Sequence, residues 1–157
     1  RWQTYKMTLT KKEEYGQIEL NSKKIIKVIG GLNPLELNSS DLLVIGEFTT
    51  ANGPFIDDWF LTLITENEWI EIPMYTDGMT EFLTDLGQIL NADLNAQLTN
   101  SADWKTRIMY PTEFKEKELY VVEDEIPNSF LGKVKKQITG GKSIRKLTSD
   151  IIKLVEK

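Results

Sequence analysis

The chain has no histidine and no cysteine. Without them, a Ser-His-Asp or Cys-His catalytic arrangement cannot be built. Nor can a zinc site that rests on imidazole or thiolate ligands. There is no disulfide framework to staple a small fold. The commonest general acid/base near neutral pH is also missing. What survives is carboxylate-only chemistry, as in glycoside hydrolysis or hard-cation binding, and the rarer Ser/Lys or Tyr/Lys schemes. The expectation is a protein that is not an enzyme and needs no cofactor. No apolar run approaches the roughly 20 residues that cross a bilayer. The N-terminus does not read as a signal peptide. Arg1 is not a start methionine, so an upstream segment is expected to have been cut, processed or left out.

The third absence is regional. From Val28 to Trp104 there is no Lys, Arg or His, and these 77 residues carry 13 carboxylates, from Glu36 to Asp103. The flanks are basic: residues 1–27 hold seven Lys/Arg against three Glu, and residues 105–157 hold twelve against eight. The formal net charge is -5. On a generic surface, interspersed lysines would relieve self-repulsion, so their exclusion calls for a cause. Three causes fit: a basic partner, a bound cation, or the chain's own basic ends.

With 157 residues, 40% hydrophobic and 27% charged, the composition suits one globular domain with its own core. Sixteen of the 19 basic residues are Lys, alongside many Ile and Asn, which hints at an AT-rich bacterial genome. A cysteine-free domain suits cytoplasm or periplasm, and cytoplasm is the expected setting.

Periodicity predicts an α+β fold: a mainly antiparallel sheet of about five to seven strands with packed helices. Trp2–Leu9 and Gln17–Leu20 read as a hairpin. A helix is expected over residues 23–29, between a Ser22 cap and Gly30-Gly31, although the β-branched content there favours a strand. Residues 33–40 read as loop. Leu42–Phe48, Asp58–Thr65 and Glu68–Tyr75 read as strands, the second apolar on both faces and therefore central. Asp77 is expected to cap a helix over Met79–Leu90. Short strands follow at Thr106–Tyr110 and Leu119–Val122. A C-terminal segment of about 128–157 reads as two helices broken at Gly140-Gly141, the first capped by Asn128 and the second by Ser143.

The residues expected to carry function are Asp57, Asp58, Trp59, Glu66, Glu68, Trp69 and Glu71. Aromatic anchors ringed by charge are typical of binding hot spots. In this reading the carboxylates steer and pair with a basic protein, and Trp59 and Trp69 are anchors if exposed. Size, charge and missing catalytic groups match the profile of inhibitors of basic toxins, meaning immunity proteins and antitoxins; this is an analogy of profile, not of motif. The rival is a carbohydrate-binding or carbohydrate-active domain built on the same aromatic and acidic cluster. A third reading is a structural module of a larger assembly.

Other motifs carry less. Adjacent residues on a strand point to opposite faces, so Asp57 and Asp58 are not expected to chelate a metal together. Gly140-Gly141-Lys142-Ser143 ends like a phosphate-binding loop, but the glycine required five positions before Gly141 is Lys136. The basic tail, including Lys133, Lys135, Lys136, Lys142 and Arg145, lacks interleaved aromatics. Neither nucleic acid nor a membrane is an expected partner.

Overall fold

The computed structural model describes residues 3–5, 16–30, 34–50, 59–98, 104–124 and 143–156. The fold is α+β. A five-stranded sheet runs in the order β1-β7-β6-β5-β8. Its strands are β1 (Gln3–Tyr5), β5 (Val44–Thr49), β6 (Trp59–Ile64), β7 (Glu68–Pro73) and β8 (Lys105–Tyr110). All pairings are antiparallel except β1 on β7, which is parallel. A second sheet is a meander of β2 (Gln17–Leu20), β3 (Ile25–Ile29) and β4 (Leu35–Asn38). A third pairs β9 (Tyr120–Asp124) with β10 (Ser143–Leu147). The helices are α1 (Met79–Leu90) and α2 (Ser149–Val155).

β6 is central, as its two apolar faces predict, and both faces of the large sheet are covered. On one face Ile45, Leu61, Leu63, Ile70 and Ile72 pack with Ile26 and Val28 of the small sheet and with Phe82, Leu83 and Leu86 of α1. On the other, Val44, Phe48, Phe60, Ile64 and Trp69 pack with Leu119, Tyr120, Ile151 and Val155. Phe48 stacks on Phe60 at 5.0 Å and meets Tyr120 edge-on at 5.5 Å. Burying side chains of this size contributes about 1.5–3 kcal/mol each. The β6–β7 turn is tight because Thr65 Oγ1 accepts hydrogen bonds from the Asn67 and Glu68 N–H groups.

Several expectations change. β2 does not pair with the N-terminal strand; it forms its hairpin with β3. The expected helix at 23–29 is β3, in which Ile26 and Val28 are buried while Ile25 and Lys27 are half-buried and Ile29 is exposed. Asn21 makes the turn: its Oδ1 accepts from the Lys23 and Ile25 N–H groups, and Lys24 takes a left-handed φ of 62°. The β-branched residues therefore follow their strand preference once the hairpin supplies a partner. The expected loop at 33–40 contains β4, where Leu35 and Leu37 alternate with Glu36 and Asn38. At the C-terminus, Ser143 does not cap a helix. It opens β10 on β9, and the helix starts after Thr148, whose Oγ1 donates to the Glu118 carbonyl. Ile151, Leu154 and Val155 face the core.

Asp77 is not the cap of α1. Gly78 holds that place with φ 83°, and a Cβ there would lie 2.5 Å from the Ile18 carbonyl oxygen. The Ile18 N–H donates to the Asp77 carbonyl, so backbone contact with β2 decides how the helix begins. The expected helix from Asn128, the Gly140-Gly141 break and the 51–58 loop with Asp57 and Asp58 lie outside the described residues.

Candidate functional site

Those of the expected site residues that the structure describes, Trp59, Glu66, Glu68, Trp69 and Glu71, do not form one cluster. Trp59 starts β6, is half-buried, and donates its indole N–H to Glu47 Oε2 at 3.0 Å. Its ring meets Tyr75 edge-on at 6.0 Å. Glu66 is exposed in the β6–β7 turn and Glu68 is half-buried just after it, at the other end of β6. At about 3.3 Å per residue, that end lies roughly 17–20 Å from Trp59. Trp69 is only 7% exposed and packs against Tyr120, so it is a core residue and not a surface anchor. Glu71 is buried too, opposite Thr62 in the β6–β7 register. Trp59 and Trp69 belong to opposite faces of the sheet. The hairpin spacing brings the indoles close in sequence and the strand pleat then separates them.

Four exposed acidic groups lie on or beside α1. Glu81 and Asp85 stand one turn apart on its outer face, with Thr84 and Gln88 beside them and Ile89 partly exposed. Asp77 precedes the helix and Asp93 follows it, both exposed. No basic residue lies on α1 or anywhere in 59–98. Among the described residues neither Glu81 nor Asp85 has an ion-pair partner, whereas Asp93 meets Lys115 Nζ at 3.4 Å. Like charges at this spacing cost a helix a few tenths of a kcal/mol, and nothing on α1 offsets that.

Beside α1 runs an open groove of ≈ 650 Å³, lined among others by Trp59, Leu83, Gly87, Gln88, Asn91 and Asp93. Its far wall is the segment after the helix. α1 ends in a Schellman turn: Asn91 is left-handed at φ 50°, and the Ala92 N–H reaches the Gly87 carbonyl at 2.9 Å. The turn passes so close that a Cβ on Gly87 would sit 2.7 Å from the Ala92 oxygen.

A buried ion pair pins that wall to the sheet. Glu47 on β5 faces Arg107 on β8 in register, and their side chains are 0% and 5% exposed. Glu47 Oε1 accepts from Arg107 Nε at 3.1 Å, from the Gln97 N–H at 2.8 Å and from the Leu98 N–H at 3.2 Å. Arg107 also donates to the Asn95 carbonyl and, through Nη1, to Glu116 at 3.2 Å. The carboxylate thus accepts four hydrogen bonds, three on Oε1 and one on Oε2, and is paired with a charge, the condition under which a buried charge is tolerated. Sequence reasoning did not single out this pair. Its signal was present: Glu47 interrupts an otherwise apolar strand, and Arg107 is one of three arginines in the chain.

Among the described residues no group of three or more acidic side chains gathers to hold a metal ion. No helix of the described residues is long and apolar enough to cross a membrane. No family model matches the chain, and neither the curated proteins nor the solved structures provide a match.

Proposed function

We propose that this is a non-catalytic binding protein, acting as a single domain in the cytoplasm, that holds a basic protein partner in the manner of an immunity protein or antitoxin. The observation that carries the reading is the outer face of α1: Glu81 and Asp85 stand exposed with no cation among the described residues, within a stretch that has no basic residue at all. Such a face projects a field that speeds encounter with a positive surface and rejects negative ones. Exposed Ile89, one turn after Asp85, supplies apolar contact area. The separation of Trp59 and Trp69 onto opposite faces favours a protein partner over a sugar, because the two rings cannot stack on one ligand.

The test is capture from a cell lysate on the immobilised protein and on a Glu81→Gln/Asp85→Asn variant, followed by reconstitution with the purified captured protein. The reading expects one basic protein, retained by the wild type, released between about 0.2 and 0.5 M salt, and held much less by the variant. Equal retention by both would remove α1 from the account.

A further inference from the structure

We infer that the groove beside α1 is a slot for an arginine side chain of the partner, a deepening that rests on the acidic-face reading above. Its lining combines the three things a guanidinium uses. Trp59 supplies an aromatic ring, the best side chain for stacking a cation. That ring is held in place, because its N–H is bound to Glu47 and it meets the Tyr75 ring at nearly a right angle. Gln88, Asn91 and Asn95, whose side chains carry amide oxygens, line it, and so does Asp93, whose Oδ1 accepts from the Asn95 N–H at 3.2 Å. Among the described residues no basic side chain lines the groove, although Lys115 reaches its wall at Asp93 and Arg107 at the Asn95 carbonyl. The planar fork of arginine suits a slot of acceptors beside a ring better than the point charge of lysine.

The chain also shows what the slot displaces. Lys115 Nζ sits 3.4 Å from Asp93 Oδ2, with the two side chains 30% and 56% exposed. This internal cation holds the rim carboxylate until a guanidinium competes for it. Lys117 is a matched control of equal charge two residues on, engaged with Asp150 at 3.6 Å, away from the groove.

Titration of the full chain with a tri-arginine peptide, and separately with a tri-lysine peptide, tests this by NMR. The Trp59 indole N–H and the Asn91 and Asn95 side-chain amides should shift, and tri-arginine should bind more tightly than tri-lysine. Lys115→Ala should tighten tri-arginine binding by about two- to fivefold, the range of a surface ion pair, while Lys117→Ala changes it less. Asp93→Asn should weaken it by a similar factor. If tri-arginine binds but leaves Trp59 unmoved, or the two lysine variants behave alike, the slot is refuted and the acidic-face reading stands. If neither peptide binds at low salt, both are refuted.

Discussion

Glu47→Gln removes one charge and almost no volume, so it isolates the buried ion pair. The guanidinium of Arg107 would keep Glu116 as its charged partner, and that carboxylate is 56% exposed. The new amide cannot serve all the old donors. If its oxygen faces Arg107, Gln97 and Leu98, its NH₂ points at the Trp59 N–H, donor against donor. Breaking a buried pair by removing one partner costs about 3–5 kcal/mol. For a chain of this size, 1 kcal/mol moves Tm by roughly 2–4 °C, so the expected drop is about 6–20 °C. A second variant, Arg107→Met, should cost a similar amount alone. The double variant should cost clearly less than the two singles together, because both singles lose the same contact and Arg107→Met also strands the Glu47 charge. Urea denaturation followed by circular dichroism gives the free energies. Amide exchange at Gln97 and Leu98 reports whether the wall they belong to has come loose. A single-variant cost below about 1 kcal/mol, or an additive cycle, would refute the claim that this pair holds the wall.

Further consequences follow from neighbouring residues. Gly87→Ala should destabilise by about 1–3 kcal/mol in urea denaturation, although helix propensity alone favours Ala by about 1 kcal/mol; the cause is the 2.7 Å approach to the Ala92 oxygen. Asp85→Lys should raise stability by about 0.5 kcal/mol, since a lysine four residues after Glu81 converts repulsion into attraction, and should weaken partner binding at the same time. Trp69→Phe should lower stability yet leave the affinity of the folded protein for its partner unchanged in calorimetry, because Trp69 is buried against Tyr120.

Much of the fold was legible where a segment's own pattern is strong. β5 and β6 were readable as apolar runs of strand length, β7 from its alternation, and α1 from a period of 3.6 held over twelve residues. The errors fall on short elements whose identity depends on a remote partner. β3 is a strand because an asparagine turn folds β2 onto it, and β10 is a strand because β9 lies alongside. The site was harder to read. Sequence shows Trp59 and Trp69 as neighbours in a hairpin, whereas the pleat and the second core bury one and leave the other at a groove. The pairing of Glu47 with Arg107, sixty residues apart, follows from the β5–β8 register, which no local pattern reveals. The acidic block was visible at once, but that Glu81 and Asp85 share the outer face of α1 needed the packing of that helix.

The most direct test of the central claim is the salt dependence of affinity between the wild type and the basic partner recovered on it, set beside that of Asp85→Lys. The account predicts binding that weakens steeply from about 0.05 to 0.5 M salt, with Asp85→Lys weaker at every concentration and its slope shallower. Affinity that is flat in salt, or the same in both proteins, would contradict the assignment of α1 as the face that holds the partner.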